Sequence, residues 1–212
     1  LGSANYTNLH EWEVFRVEEK IRVIRGSKPW VAKPKILLIA GTVHRPSYTQ
    51  ALIRVIGECL QARGAEITEW DLVEMPLSIA DPEFDGIPQH NPDANVRELA
   101  RVANESDAFV LGSPVYHNSY TGVLKNALDC LGDDQFAGKP VGLVAHKGIQ
   151  PLDHLRIVVR SIGAYAITRQ VVTQKNDFVK TENGFQLHSE TLTHRINVFC
   201  DELLDWVKRF RE

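Results

Sequence analysis

The chain has 212 residues, 43% of them hydrophobic and 24% charged, which suits one domain with a full-sized core, alone or with an extension. Its net charge of −3 excludes a general attraction to nucleic acid or to an anionic membrane surface, so any bound anion needs a local site. No stretch approaches the ~20 apolar residues of a membrane span, the start lacks the apolar core of a signal peptide, and the three scattered cysteines (Cys59, Cys130, Cys200) fit neither a disulfide framework nor a zinc site, so a reducing, cytoplasmic setting is expected.

Residues 1–34 stand outside the rhythm of the rest. "EWEVFRVEEKIRVIRG" mixes helix and strand signals and "SKPWVAKPK" reads as a linker, so an extension or arm packing on a partner subunit is expected there. From residue 35 the pattern alternates. "KILLIA" (35–40) is a short apolar strand closed by Gly41. Residues 49–63 place Leu52, Val55, Ile56, Cys59 and Leu60 on one helical face, with Gly64 as a stop. "EITEWDL" (66–72) alternates as a strand does, and four prolines and a glycine in 73–92 predict a long loop. A helix with an acidic N-cap follows at 93–106, then a buried strand at 108–113, a helix at 120–131 and a strand at 140–146. A helix across 151–162, a fifth strand at 165–172, a polar loop and an amphipathic closing helix at 191–210 complete the series.

Five strands alternating with helices call for right-handed crossovers and a parallel sheet covered on both faces. The predicted fold is α/β: a flavodoxin-like three-layer sandwich with strand order 2-1-3-4-5, formed by residues 35–212. In such a sheet the ligand crevice lies at the carboxyl ends of strands 1 and 3, where the strand order reverses. Two loops fall there, 41–49 and 113–120.

The first, "GTVHRPSYTQ", offers the hydroxyls of Thr42, Ser47 and Thr49, charge from His44 and Arg45, and the amide end of the following helix, which together make a phosphate pocket. It lacks the Gly-Lys-Ser/Thr ending of a nucleoside-triphosphate loop. The plainer alternative is that Ser and Thr only cap the helix. The second, "SPVYHNSYTG", carries the aromatic faces of Tyr116 and Tyr120 and backbone amides near His117 and Asn118, a combination suited to a flat hydrogen-bonding heterocycle. Here the alternative is that Tyr116 packs in the core and Asn118 and Ser119 cap the next helix. A phosphate loop beside a ring loop points to a mononucleotide such as FMN. Lys125 and Asp129 read as a surface i,i+4 pair, the apolar stripe of helix 121–131 as core or subunit contact, and the remaining histidines show no metal-ligand spacing.

"GSPVYHNSYTGVLKNALDCL" resembles the NADPH-dependent FMN reductase family, whose members carry Ser-Pro-x-Tyr-x-x-Ser followed by Gly-x-Leu-Lys-Asn-Ala-Leu-Asp. The first loop resembles that family's Gly-Ser-x-Arg-x-x-Ser-x-Thr phosphate loop, and the "NSYTG" variant is similar to the sulfonate-utilisation subgroup. The resemblance covers about residues 35–210. It implies a flavodoxin-like, FMN-binding homodimer or homotetramer that passes hydride from NADPH or NADH through flavin N5 to a small-molecule acceptor such as a flavin, quinone or azo dye. It further implies that Thr42, Ser47 and Thr49 hold the phosphate. Pro114, Val115, Tyr116, His117, Asn118 and Ser119 would border the ring, and the loop containing His146, Lys147 and Gly148 would approach the pyrimidine side. No catalytic side chain and no metal are called for, since the flavin carries the hydride.

The sequence departs from the family pattern twice. His44, with Arg45 beside it, stands where the phosphate loop has Arg, and His146-Lys147 replaces a Gly-rich turn. A cation there favours the anionic reduced flavin, whereas a solvated turn lysine would do nothing. A flavodoxin-like electron carrier or flavin-binding sensor without pyridine-nucleotide turnover is the alternative function, although flavodoxins are usually more acidic than −3. A phosphatase or hydrolase of similar topology would need Asp or Cys at the end of the first strand, where Gly41-Thr42 stands.

Overall fold

A computed structural model of the protein describes residues 32–182 and 184–212. Nearly all of the expected N-terminal extension lies outside the described residues. The elements run β1 (Lys35–Ala40), α1 (Tyr48–Gln61), β2 (Glu66–Asp71), α2 (Ala94–Glu105), β3 (Ala108–Pro114), α3 (Gly122–Asp129), a single turn α4 (Asp133–Phe136), β4 (Pro140–His146), α5 (Gln150–Ser161), β5 (Tyr165–Thr173), the pair β6 (Phe178–Thr181) and β7 (Gly184–Leu187), and α6 (Glu190–Arg211). Strands β1 to β5 form one parallel sheet in the order β2-β1-β3-β4-β5. The expected fold and strand order are therefore observed.

The apolar runs explain the layering. β1, β3 and β4 are buried almost throughout, because helices cover both of their faces, whereas the edge strands β2 and β5 alternate with solvent. On one face Ile36, Leu38, Val110 and Val144 pack against Leu52, Ile56 and Leu60 of α1 and Ile196, Phe199 and Leu203 of α6. On the other, Leu37, Ile39, Phe109, Leu111 and Leu143 meet Leu99 of α2, Leu124 and Leu128 of α3, and Leu152 and Leu155 of α5. The stripe of α3 is thus core, apart from the half-buried Val123. Each of α1, α2, α3 and α6 begins at a Ser, Asp or Thr whose side chain accepts a backbone N–H of the first turn: Ser47, Asp93, Thr121 and Ser189. The exposed Lys125–Asp129 pair forms at 2.5 Å, in a setting where such pairs contribute about 0.5 kcal/mol at most.

Two regions differ from the sequence reading. The 73–92 loop contains two short 3-10 turns, Pro82–Phe84 and Pro88–His90, each with proline at its start. The segment read as a polar loop after β5 contains the antiparallel β6–β7 hairpin, in which Phe178 pairs with Leu187 and Lys180 with Phe185. Its two short strands carry too few alternating positions to stand out from a loop by periodicity.

Candidate functional site at the carboxyl edge of the sheet

Because all five strands run parallel, the loops after β1, β3 and β4 emerge at one edge. Ala40 pairs with Gly112, and Pro114 pairs with His146, so the two predicted loops and the strand-4 loop share that edge. The chain passes from β1 to β2 on one side and to β3 on the other, which makes the β1/β3 junction the switch point.

The first loop is built around Thr42 and Ser47. Thr42 is 3% exposed, and its hydroxyl accepts the His44 N–H at 3.2 Å. Ser47 caps α1 by accepting the Gln50 N–H at 3.3 Å. The amides that open α1, at Tyr48 and Thr49, have no carbonyl partner within the helix and carry its positive dipole end. Thr49 is buried at 1% exposure, whereas His44 and Arg45 are exposed. Arg45 forms an ion pair with Asp71 at the end of β2 and also donates to the His44 carbonyl at 3.3 Å, so its charge is already partnered.

The second loop is a tight turn. Tyr116 and Ser119 exchange both backbone hydrogen bonds, at 2.9 and 3.0 Å, across His117 and Asn118, whose φ angles are +49° and +62°. This is a two-residue turn with positive φ at both centres, a conformation that Asn tolerates better than His. Neither expected alternative holds. Tyr116 is 54% exposed rather than in the core, and α3 is capped by Thr121 instead of Asn118 or Ser119. Pro114 and Val115 are half-buried beneath the turn.

The strand-4 loop resolves one departure from the family pattern. Lys147 has φ +84°, the left-handed conformation that glycine adopts without cost. The backbone therefore keeps the shape a glycine would give, while its amide donates to Thr173 O at 2.8 Å and its carbonyl accepts from Gln174 Nε2 at 3.3 Å. A Lys147→Gly variant should gain about 1 kcal/mol in urea-denaturation stability by removing the cost of a side chain at positive φ. Gly148 lies against the second loop, since a Cβ placed on it would sit 3.3 Å from Val115 Cγ2.

His146 points elsewhere. Its ring is 3% exposed, stacks on Tyr48 at 4.4 Å and 16°, and lies edge-on to Phe178 at 6.1 Å. Tyr48 in turn stacks on Phe185 of the hairpin at 3.7 Å. Nδ1 lies 3.0 Å from Thr173 Oγ1, and buried Nε2 has no partner. Burial, reinforced by the Lys147 charge and opposed by Asp177, lowers its pKa to about 4, so the ring is neutral at physiological pH.

Three side chains not singled out from the sequence fasten these loops together. Thr121 Oγ1 donates to Gly41 O at 2.7 Å, joining the first and second loops, while Ser113 Oγ accepts the Thr121 N–H at 3.1 Å. His154 of α5 meets Ser119 Oγ at 2.8 Å. Thr121 had a readable signal, as a Thr directly before Gly122 and a helical apolar stripe. His154 had none, because its partner lies 35 positions away.

Among the described residues, two cavities bear on the choice of site. One of about 570 Å³ lies beside the first loop, lined by Arg45, Ser47, Gln50, Arg54, Lys180 and Phe185 among others. The larger, about 660 Å³, lies toward the amino end of β4 and is lined by the carboxylates of Asp81, Asp85, Asp129, Asp133 and Asp134, which disfavour an anion. The switch-point edge is therefore the better candidate site despite the larger cavity. It joins hydroxyls and free helix amides for a phosphate to an exposed tyrosine and a polar turn for a flat ring, which is the donor set FMN needs.

Residues 34–177 match the family described as NADPH-dependent FMN reductase. The chain belongs to that family. An FMN-dependent NADPH-azoreductase of Staphylococcus aureus is 38% identical to it over 183 residues, covering 82% of this chain and 95% of the relative. Among solved structures, the flavoenzyme NAD(P)H:(acceptor) oxidoreductase FerB of Paracoccus denitrificans superposes with a TM-score of 0.68 at 18% identity, covering 84% of this chain and 98% of that one. An NADH:FMN oxidoreductase in its apo form gives 0.65 at 22% identity, with 84% and 90% covered. At these identities the two structures show a shared fold.

Proposed function

We propose that the protein is an NAD(P)H-dependent FMN oxidoreductase whose flavin is held at the β1/β3 switch point and serves a small-molecule acceptor of the azo, quinone or flavin class. Family membership makes it an oxidoreductase that uses FMN and a reduced pyridine nucleotide. The observation that carries the site assignment is the fastening of the three loops at one edge, by Thr121 to Gly41 and by Gly148 against Val115.

In this reading Thr42, Ser47 and Thr49, with the first amides of α1, bind the phosphate. His44 and Arg45 stand at the rim, with Arg45 held there by Asp71. Pro114, Val115 and the Tyr116–Ser119 turn border the ring, and the exposed face of Tyr116 offers a stacking surface. Lys147 and Gly148 approach from the β4 side. His146 acts from behind, as a neutral ring that positions the start of α1 through Tyr48. When bound, FMN supplies hydride acceptance and its onward transfer. The protein's part is to hold it and leave one face open.

The azo class is favoured by the Staphylococcus aureus relative, whose name describes an FMN-dependent NADPH-azoreductase. A cytoplasmic setting agrees with three buried, unbridged cysteines and with the lack of a membrane-spanning helix among the described residues. Residues 35–212 form the reductase domain in this reading, with 1–34 as an arm and a homodimer or homotetramer as the assembly.

The purified protein reconstituted with FMN should be yellow, bleach on rapid mixing with NADPH, and recover its colour when an azo dye or quinone is added. A flavin that binds and does not bleach with either NADPH or NADH would assign the electron-carrier alternative instead. Ser47→Ala should raise the Kd for FMN roughly ten-fold, consistent with the loss of one charge-assisted hydrogen bond. An unchanged Kd, read by fluorescence titration, would move the phosphate away from the first loop.

A further inference from the structure

Two thiols that take no part in this site face each other across α1 and α6. Cys59 and Cys200 are 2% and 0% exposed, and neither is in a disulfide. Each reaches the residue one turn before the other: Cys59 Sγ lies 3.7 Å from Asn197 Oδ1, and Cys200 Sγ lies 4.0 Å from Ile56 O. This reciprocity turns the two thiols toward each other across the helix interface.

Buried cysteines often serve only as small apolar fillers. The surroundings of this pair are of another kind. Arg63, whose side chain is 6% exposed, donates through Nη1 to Cys59 Sγ at 2.9 Å and to Cys59 O at 3.0 Å. Its Nη2 donates to Asn197 Oδ1 at 2.7 Å, and its Nε pairs with Asp201 at 2.7 Å. A guanidinium fixed on one sulfur of two favours the thiolate there, while burial shields both sulfurs from solvent. The neighbouring Cys200 thiol, aided by the Arg63 charge and opposed by burial, holds Cys59 below the usual thiol range. Burial pushes Cys200 well up. Cys130, buried with no such cation, is pushed up to about 11.

We propose that Cys59 and Cys200 are an oxidisable pair that closes a reversible disulfide between α1 and α6 when the protein meets a hydroperoxide. The Cys59 thiolate attacks the O–O bond, which breaks; one oxygen stays on sulfur as the sulfenic acid, and the other leaves as alcohol or water after taking up a proton. Cys200 sulfur then attacks Cys59 sulfur, the S–S bond forms, and the sulfenic oxygen departs as water with the Cys200 proton. In sum, two thiols lose two electrons and two protons, and the hydroperoxide is reduced to an alcohol (or water) and one further water. The disulfide forms when the two sulfurs close to a bond length of about 2.05 Å.

The test treats the full-length, FMN-loaded protein with hydrogen peroxide, quenches with catalase, alkylates remaining thiols under denaturing conditions and maps peptides without reduction. The expected result is a peptide containing Cys59 linked to one containing Cys200, with Cys130 still alkylated, and a Tm higher by roughly 10 °C. Both changes should reverse with dithiothreitol. Cys200→Ala should leave a dimedone-reactive sulfenic acid at Cys59, and Arg63→Leu should slow linkage roughly ten-fold. Recovery of Cys59 and Cys200 both alkylated from peroxide-treated wild-type protein, or of Cys59 as sulfinic acid with no linked peptide, overturns the proposal. The wild-type map decides it even where a variant fails to fold.

Discussion

Replacing Gly41 with alanine should lower the Tm by roughly 6–12 °C and weaken FMN binding at least ten-fold, although the change adds one methyl group. A Cβ at this position would lie 2.7 Å from Leu124 Cβ and 2.9 Å from Gly112 O. Neither neighbour is the free end of a flexible side chain, so relief must come from moving backbone. The Gly41 N–H also donates to Gly112 O at 2.7 Å, and its carbonyl accepts the Thr121 hydroxyl, so the displaced segment holds the first loop to both β3 and α3. Overpacking of this kind costs about 3 kcal/mol, and a chain of this size loses roughly 2–4 °C per kcal/mol. Gly122→Ala is the matched control, because nothing lies within 4 Å of a Cβ there. Thermal melts and fluorescence titration of the two variants separate the outcomes. A Gly41→Ala protein with wild-type Tm and wild-type FMN affinity would mean that the first loop is not pinned by α3.

The second large effect is on acid stability. His146 has a folded pKa of about 4, below the ~6.5 of an unfolded histidine. Between these values the unfolded chain binds a proton that the folded ring refuses, so stability is intact above about pH 6.5 and falls as the pH drops toward 4. The full loss is about 3 kcal/mol. The groups facing the ring account for the refusal: Tyr48, Phe178 and Thr173 surround it, Lys147 adds a like charge, and Asp177 compensates only in part. Urea denaturation of wild-type and His146→Phe protein from pH 4 to 8 should give a difference curve that rises with pH through this window and is level above it. A flat difference curve would show that the ring titrates normally in the folded chain. Because His146 stacks on the residue that opens α1, acid should also loosen the first loop before the sheet itself gives way.

Much of this arrangement is legible in the residues. The apolar runs of β1, β3 and β4 announce strands buried on both faces, and the alternation in 66–72 marks an edge. Topology then points to a candidate site before any motif is consulted, and Ser47 and the 113–120 loop fall where the strand order reverses. Local chemistry does not reveal the partners that arrive from far along the chain. Arg45 reads as a phosphate cation until Asp71, 26 positions on, claims it. His146 reads as a loop residue approaching the flavin, yet strand pleating turns its ring toward Tyr48 and the hairpin. The Lys147 turn illustrates the reverse. A departure in residue type leaves a backbone conformation of the kind glycine favours, because φ +84° is available to lysine at a modest cost and to glycine at none.

The hairpin and the closing helix carry a practical consequence for anyone who trims this protein. The stretch that matches the family ends at residue 177, one position before β6. Yet Phe178 and Phe185 brace Tyr48, and Ile196, Phe199 and Leu203 cover Ile36, Val110 and Val144. A chain cut at the family boundary keeps all five strands of the main sheet and leaves one whole side of it half-roofed, with α1 alone over a surface built for two helices. The segment that the family pattern spans is shorter than the segment that packs together as one body.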